Sequence, residues 1–439
     1  MTGLDYFRFI VLRRMIVPFA AALLLSACVE QSPAPGSFTI AMIPDTQNMI
    51  DYKHQVASGF AIDASSLFLG QMEYLAKNAA ANGGDVAFVT SVGDVWQHQS
   101  LEMDPQHAAR GFDAIHNPWF ALEIEFTPET RRVELPSARA GYALIAEADL
   151  PFAVAPGNHD YDAMWSDARY PPVKDPREIE FIPEKLGMLH IGGLDNFRSV
   201  FGDDTPFFAD RAWYVASHHG GTSSAQRFEA GGYRFLHFAL EMSPDDQVLE
   251  WASSVIAANA GLPTIVTTHD YLDARGERRA NPIIDLAVTD PLHNDAEALW
   301  RKFISRHDQI FLVLCGHHHG QAVRVDRNQA GHEVHQILAD FQDRGQAGLD
   351  AGVPLVRGKP VGIGDGWLRL LTFDTSDAVP TVAVRTYSPH YGDFSTAVAD
   401  YAGWYKAHEE PAMSDSEFLG EDDFVIELTD FRARFGPPR

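Results

Sequence analysis

Five short clusters in this 439-residue chain contain side chains of the kinds that bind metal ions or transfer protons. Each cluster follows directly on a run of apolar or β-branched residues. In chain order they are Asp45-Thr46-Gln47, Gly93-Asp94, Gly157-Asn158-His159-Asp160, Thr268-His269-Asp270 and Gly316-His317-His318-His319. One such cluster alone usually serves as a cap or a turn, whereas five in order indicate a shared metal site built from carboxylate, amide and imidazole ligands.

The chemistry that suits such a site is the hydrolysis of a phosphoester. Two metal ions held about 3.5 to 4 Å apart lower the pKa of a bound water and neutralise charge on the phosphoryl oxygens. The leaving oxygen then needs only a proton, which a nearby imidazole can supply. The pattern therefore predicts a phosphoester hydrolase with two metal ions.

The apolar runs before the clusters predict buried strands, so that the clusters lie where strands end. Helical patterns alternate with these strands at residues 65–81, 246–258 and 294–305. Further strands are predicted at residues 333–338, 367–373, 381–387 and 424–428. Alternating strands and helices predict an α/β domain, in which ligands gather at the carboxyl ends of the strands.

The order and context of the clusters resemble the motifs of the calcineurin-like metallophosphoesterase superfamily over about residues 38–390. The clusters at 157–160 and 316–319 are the most specific parts of this resemblance. It implies an α/β fold that forms a four-layer sandwich, with two mixed β-sheets flanked by helices and the strand-rich C-terminal third in the second sheet. We expect a single domain over residues 38–435, with insertions at about 97–140 and 161–230.

Motif positions imply the roles of the site residues. One metal would be held by Asp45, Gln47, Asp94 and His319. The other would be held by Asp94, Asn158, His269 and His317, so that Asp94 bridges the two. His159 would stand over the phosphate and protonate or stabilise the leaving oxygen, and Asp160 is a candidate to orient it. The resemblance implies in-line attack by a metal-bound hydroxide without a covalent enzyme intermediate. Mn, Fe, Zn, Ni and Mg all stay open.

The chain departs from the family motifs at two positions. Gln47 stands where most members have histidine, which should weaken the first site and favour harder ions such as Mn²⁺ or Mg²⁺. The same Asp-Thr-Gln variant, with the stretches at 338–342 and 366–370, resembles an exported bacterial subgroup. The sequence after Asp94 lacks the Asp-Arg-Gly continuation of the Ser/Thr protein phosphatases, so a protein phosphatase is disfavoured.

A few further residues invite a functional interpretation. The candidates for contact with the phosphoester are His98, Arg344 and His390. His218 and His219 could belong to a lid, although a solvated loop is the simpler interpretation. His318 is expected to point away from the metals. Cys315 ends an apolar strand and is interpreted as a small core residue rather than a nucleophile.

The N-terminus predicts export and a lipid anchor. Three arginines precede an apolar run at residues 15–25, which suits a signal peptide and is too short to span a bilayer. The sequence Leu25-Ser26-Ala27-Cys28 resembles the lipobox of bacterial lipoproteins, so Cys28 would be lipidated after cleavage of residues 1–27 and residues 28–37 would form a tether. An ordinary signal peptide and a start at Met15 are the alternatives. The expected location is the bacterial cell envelope, at the periplasmic or outer-membrane face.

The composition excludes some partners. The formal charge is −26 and the basic residues are interspersed with acids, so a nucleic-acid groove is not expected. The expected partners are a phosphoester substrate and, through the lipid, a membrane. Two alternatives to an enzyme stay open: a surface binding module that has lost turnover on the same scaffold, and a lipoprotein for metal storage or adhesion. The retained His159 argues against the first of these.

Overall fold

The computed structural model describes residues 36–120, 125–174, 177 and 182–439. The expected signal peptide, Cys28 and the tether up to residue 35 lie outside the described residues. Within the described ranges, no helix combines the length and the apolar character needed to cross a membrane. Export and the lipid anchor therefore stay predictions.

Strands and helices alternate along the chain as the sequence predicts. The strands are β1 (Ser37–Ile43), β2 (Val86–Ser91), β3 (Ala114–Ile115), β4 (Phe152–Val154), β5 (Ala163–Asp167), β6 (Leu189–Gly192), β7 (Tyr214–His218), β8 (Ser223–Ala230), β9 (Tyr233–Ala239), β10 (Thr264–Asp270), β11 (Ile310–Gly316), β12 (Gly320–Arg327), β13 (Glu333–Asp340), β14 (Leu368–Asp374), β15 (Thr381–Ser388), β16 (Asp393–Phe394) and β17 (Asp423–Glu427).

The helices vary in length from four to thirteen residues. They are α1 (Gln47–Ile50), α2 (Ser65–Lys77), α3 (Pro105–Ala109), α4 (Leu135–Glu147), α5 (Pro183–Leu186), α6 (Asp195–Phe201), α7 (Asp246–Ala258), α8 (Leu286–Thr289), α9 (Ala296–Lys302), α10 (Gln346–Asp350), α11 (Tyr401–Glu409), α12 (Asp415–Asp422) and α13 (Phe431–Phe435). Helix α7 begins where the Asp245 side chain accepts a hydrogen bond from the Val248 amide, an N-cap that the acidic start of this segment favours.

The first sheet combines strands from both ends of the described chain. Its order is β16–β15–β14–β1–β2–β4, with β17 paired to β15. Strands β1, β2 and β4 are parallel, and β14 pairs antiparallel with the other edge of β1. The expectation that the C-terminal third belongs to the second sheet is therefore wrong for β14 to β17. Strand β14 covers the edge of β1 that would otherwise be unpaired, β15 pairs with β14, and β16 and β17 pair with β15.

The second sheet has the order β12–β13–β11–β10–β9–β8–β7. Its four central strands, β13, β11, β10 and β9, are parallel, and antiparallel strands form both edges. The segment 161–230 was expected to be an insertion, but its last part forms β7 and β8 of this sheet. Strands β3, β5 and β6 form a separate three-stranded sheet.

Three apolar cores define four layers. Phe38, Ile40 and Met42 of β1 pack between the two large sheets with Phe235 of β9. Alternate residues of the same strands face outward, as the period-two geometry of a strand requires. On the outside of the first sheet lie α2, α4 and α6, and on the outside of the second lie α7 and α9. The arrangement is an α/β fold of two mixed sheets flanked by helices, as the sequence predicts.

Candidate metal centre

The candidate metal centre lies where the carboxyl ends of six parallel strands from the two large sheets meet. Polar residues follow β1, β2 and β4 of the first sheet and follow or end β10, β11 and β13 of the second. Parallel strands present their carboxyl ends at one edge, which is why clusters far apart in sequence come together. The seven expected metal ligands all lie in this region. They are Asp45, Gln47, Asp94, Asn158, His269, His317 and His319.

Asp94 occupies the middle of the group. Its Oδ2 lies 3.3 Å from Nε2 of His269 and 3.3 Å from Nε2 of Gln47. Its Oδ1 accepts a hydrogen bond of 2.8 Å from the amide of His159. The carboxylate therefore faces candidate ligands on two sides, which is the position that a bridging ligand needs.

His269 lies beside Asp94 and beside residues expected at both metals. Its Nε2 lies 3.2 Å from Oδ1 of Asn158 and 3.9 Å from Oδ2 of Asp45. Its Nδ1 lies 2.8 Å from the carbonyl oxygen of Val92, which can fix the ring and leave Nε2 for a metal. The rings of His269 and His317 are 4.9 Å apart, and Asp94, His269 and His317 form a buried group of possible metal ligands.

Residues after β13 complete the other side of the centre. Gln342 is in close contact with both Nε2 of Gln47 and Nε2 of His319. His319 is half-exposed, and its Nδ1 lies 2.6 Å from the Asp343 carboxylate. Asp340 is buried at the end of β13. These three residues, Asp340, Gln342 and Asp343, were not identified as site residues from the sequence. A sixth strand that ends in polar residues was the available signal.

The turns that carry the ligands have unusual backbone geometry. Asp94 and His317 adopt positive φ angles of 49° and 71°, which are uncommon for residues other than glycine. A Cβ atom on Gly157 would overlap the Asp94 carboxylate, and one on Gly316 would overlap that of Asp45. The motif glycines are therefore needed because the ligands approach the backbone closely.

Buried charges make the centre suited to cations. Burial raises the pKa of Asp45 well above its usual range, and the carboxylates of Asp340 and Asp94 add to the effect. The pKa of Asp340 is raised to about 6, again mainly by burial. Burial alone would lower the pKa of His269, but Asp94 and Asp45 outweigh it and raise the value to about 10. Bound cations would relieve the repulsion between these carboxylates.

Several atoms of the centre that could bind a metal are buried and have no hydrogen-bond partner. They are Oε1 of Gln47, Nε2 of His317 and Oδ2 of Asp340. Unpartnered buried polar atoms are costly, and a divalent ion would satisfy each of these. The donor set of imidazole nitrogens with carboxylate and amide oxygens suits Mn²⁺, Fe²⁺ or Zn²⁺. The residues therefore fit two metal ions, with Gln342 as an additional candidate ligand.

His159 and Asp160 differ in their surroundings. Nδ1 of His159 lies 2.6 Å from the carbonyl oxygen of Gln97, which leaves Nε2 available for proton transfer. The Asp160 carboxylate is fully buried and accepts hydrogen bonds of 2.9 Å from the amides of Val95 and Gly157. It therefore joins the two motif turns to each other, and no contact between it and the imidazole of His159 is seen.

The centre opens into a cavity of about 390 Å³. One wall carries polar residues of the centre, including Asp94, His159 and His319. Apolar side chains that belong to one hydrophobic cluster also line the cavity. They are Phe120, Met164, Leu189, Ile283 and Ile284.

The three expected substrate contacts do not line this cavity. His98 is buried, with Nδ1 at 2.7 Å from the Glu134 carboxylate. Arg344 is buried in an ion pair with Glu409. His390 is exposed, and its ring packs on Tyr391. The expectation that His98 and Arg344 contact the substrate is therefore wrong, because their polar groups are bound to Glu134 and Glu409 inside the protein.

The other residues that the sequence singled out have no part in the candidate metal centre. Nε2 of His318 lies 3.1 Å from the Asp270 carboxylate, away from the cavity. Cys315 is buried, and burial raises the pKa of its thiol, so it is not a nucleophile. His219 lines a different cavity from that of the candidate metal centre.

Comparison with protein families gives a match over residues 39–321 to the family described as calcineurin-like phosphoesterase. A comparison with curated protein sequences gives no match. Among solved structures, the chain is similar to the crystal structure of TT1561 of Thermus thermophilus, with 10% identity and a TM-score of 0.29 over 80% of this chain and 99% of that one. The family match covers more than half of the chain and includes the motifs of the centre. The chain belongs to the calcineurin-like phosphoesterase family.

Proposed function

We propose that this protein binds two divalent metal ions at the candidate metal centre and hydrolyses a phosphoester there. The observation that carries the proposal is the meeting of Asp94 with six other motif side chains, among which Oε1 of Gln47 and Nε2 of His317 are buried and have no hydrogen-bond partner. A site of this composition has no evident structural purpose without cations.

Two ions at this position would supply an activated water and neutralise the charge of the phosphate. The residues of the protein would position these groups and supply the proton. Asp94 faces both halves of the ligand set and is held by the His159 amide. The Gln97 carbonyl fixes the His159 ring, so that Nε2 can give a proton to the leaving oxygen. Asp160 acts as a positioning residue that keeps the two motif turns in register.

The cavity suggests an ester with an organic group. Its apolar lining residues can cover a carbon-rich part of the substrate while the phosphate lies at the candidate metal centre. Among the lining residues that the structure describes, none is lysine or arginine, so metal ions and histidines must balance the phosphate charge. Both phosphomonoesters and phosphodiesters with such a group satisfy this description.

The test is a panel of aryl phosphomonoesters and diesters, each assayed with Mn²⁺, Fe²⁺, Ni²⁺ or Zn²⁺. We expect Asp94→Asn to lose turnover and the metal bound at the candidate metal centre. His159→Ala should keep its metal while kcat falls by about 10² to 10⁴, most strongly for esters with poor leaving groups. The control is Asp415→Asn, which changes an exposed carboxylate that pairs with Lys406.

The outcomes distinguish a phosphoester hydrolase from a binding module without turnover. Metal bound at the centre without hydrolysis of any ester would contradict the enzyme and favour the binding module. Hydrolysis that is unaffected by Asp94→Asn would place the active site elsewhere.

We further propose that the protein is exported and held at the bacterial cell envelope by a lipid on Cys28. The arginines, the short apolar run and the lipobox-like sequence support this. Replacement Cys28→Ser should move the protein from the membrane fraction to the soluble fraction and abolish the incorporation of labelled fatty acid. Unchanged fractionation and labelling would contradict the proposal.

A further inference from the structure

A second group of possible metal ligands lies outside the candidate metal centre and shares no residue with it. It consists of His107 in α3, His190 in β6 and Asp290 just after α8. One ligand atom from each lies within 4.8 Å of the other two. His190 is fully buried, Asp290 is 1% exposed and His107 is half-buried. The three residues come from separate segments, so the fold alone brings them together.

Both imidazoles are held in the orientation that metal ligands adopt. Nδ1 of His107 contacts the Asp104 carboxylate, and Nδ1 of His190 lies 2.8 Å from the carbonyl oxygen of Ile191. An acceptor at Nδ1 fixes the proton there and leaves the lone pair on Nε2. The Nε2 atoms of both rings are buried and have no hydrogen-bond partner. Two buried nitrogen lone pairs therefore lack a partner.

Asp290 supplies the negative charge. Its Oδ2 lies 3.7 Å from Nε2 of His107 and 2.7 Å from Nη2 of Arg110. The contact with Arg110 is an ion pair, and Oδ2 is buried without a hydrogen-bond partner, so its lone pairs are available to a cation. Arg110 lies over the Phe112 ring at 4.9 Å, which holds the guanidinium beside the group.

Aromatic rings limit the access of water to the group. The Trp165 ring stacks on His190 with a centroid distance of 4.8 Å, and the Phe112 ring meets the same imidazole edge-on at 4.8 Å. His107 also lies in the wall of an open cavity of about 570 Å³. A water from this cavity can complete the coordination that three protein ligands leave open.

We propose that His107, His190 and Asp290 bind a single Zn²⁺ that holds α3, β6 and the turn after α8 together. Two imidazole nitrogens and one carboxylate oxygen form a common zinc ligand set. The ion would tie segment 97–140 to segment 161–230. Because Leu189 lines the cavity of the candidate metal centre, the ion would also hold one wall of that cavity. This proposal does not depend on the proposed function.

The test measures zinc by mass spectrometry after the protein is loaded with Zn²⁺ and desalted. The background is Asp94→Asn, which should empty the candidate metal centre. We expect this protein to retain one equivalent, and the additional change His190→Phe to remove it. His107→Gln, at a less buried position, should also remove it and guards against misfolding of the first variant.

The matched control is His237→Gln. His237 is also fully buried, but both of its ring nitrogens have hydrogen-bond partners, in Gln226 and Thr267. It should leave the retained equivalent unchanged. Zinc should also raise the unfolding temperature of the Asp94→Asn protein by a few degrees, and His190→Phe should abolish that shift.

No zinc retained in the Asp94→Asn protein would overturn the proposal, and so would one equivalent that persists after both His190→Phe and His107→Gln. These results are independent of catalysis. If the candidate metal centre holds no metal, the unaltered protein should still bind one equivalent that depends on His190 and not on Asp94.

Discussion

Gln47 is the proposed ligand at which this centre differs most from the usual motif, and its contacts indicate how an amide can serve there. Its Oε1 is buried without a partner, while its Nε2 faces the carboxylate of Asp94 and the side chain of Gln342. The amide is thus oriented with its oxygen free for a metal. A neutral oxygen ligand binds hard ions better than it binds zinc.

Replacing Gln47 by histidine should therefore shift the metal preference of the first site towards Zn²⁺, because imidazole suits that ion better. The measurement is a competition between Zn²⁺ and Mn²⁺, followed by metal analysis of the desalted protein. Gln47→Glu is the comparison, since it keeps an oxygen ligand and should favour Mn²⁺. Equal zinc fractions in all three proteins would show that Gln47 is not a ligand.

Arg344 illustrates a charged residue whose role is structural. Its guanidinium is 1% exposed and donates two hydrogen bonds, of 2.8 and 2.9 Å, to the carboxylate of Glu409. It also lies 3.9 Å from the centroid of the Phe341 ring. Burial alone would lower the pKa of Arg344, but Glu409 and the other acidic neighbours outweigh burial and raise this pKa above its usual value.

We expect Arg344→Met to lower the free energy of unfolding by about 3 to 5 kcal/mol, because the carboxylate of Glu409 loses its buried partner. KM for the phosphoester should stay unchanged. Urea unfolding and steady-state kinetics check both points. Arg132→Met, in an exposed pair with Glu129, should cost about 0 to 1 kcal/mol. A large rise in KM with unchanged stability would instead restore Arg344 as a substrate contact.

The turns after the strands are the elements that make the centre, and their glycines have a steric purpose. Gly157 follows β4 with φ of −95°, which any residue can adopt. The space beside it is the constraint, since a Cβ would overlap the Asp94 carboxylate and lie 2.6 Å from Cε1 of His269. The glycine of this motif is thus explained by the close approach of two candidate ligands, Asp94 and His269, to one turn.

Gly157→Ala should accordingly weaken metal binding by about 10 to 100-fold without removing a ligand, as happens when the support of a ligand is disturbed. Isothermal titration with Mn²⁺ measures the affinity. The matched control is Gly403→Ala in α11, where no atom lies within 4 Å of the added Cβ. That change should leave metal affinity unchanged and stabilise the helix by about 0.5 to 1 kcal/mol. An unaltered affinity in Gly157→Ala would contradict the steric explanation.

The two large sheets are joined by a polar network inside an otherwise apolar core. Thr90 of β2 donates a hydrogen bond of 2.9 Å to Oγ1 of Thr267 in β10. The same oxygen lies 2.9 Å from Nε2 of His237 in β9, whose Nδ1 lies 3.0 Å from Oε1 of Gln226. Because the hydrogen bond between Thr90 and Thr267 forms only when the two sheets are in register, it favours one packing of the sandwich.

Burial lowers the pKa of His237 from 6.5 to about 3. Below pH 6.5 the unfolded chain takes up a proton that the folded protein accepts only near pH 3, so the folded state loses stability as the pH falls through this window. Between pH 7 and pH 4.5 the loss from this residue should be roughly 2 kcal/mol. Urea unfolding at several pH values measures it.

The comparison protein is His237→Gln, which keeps a polar side chain that does not titrate. Its stability should be lower at pH 7, because the network is disturbed, but should fall less steeply towards pH 4.5. Parallel curves for the two proteins would show that His237 is not the group responsible.

The sequence alone predicted the features that are local in the chain. Each of the five clusters follows its strand directly, so strand, turn and ligand are read from one short segment. Helix α7 begins and ends where its acidic start and apolar period predict. The α/β class and the meeting of strand ends follow from this alternation, because parallel strands place their carboxyl ends together.

Only the tertiary structure decided which distant segments meet. The pairing of β14 with β1 joins residues more than 300 positions apart, and it moves the last strands into the first sheet. The ion pair of Arg344 with Glu409, the position of Gln342 beside Gln47 and the group of His107, His190 and Asp290 have the same origin. Such contacts depend on the packing of complete layers, because local sequence preferences carry no information about the partner that a side chain meets across the core.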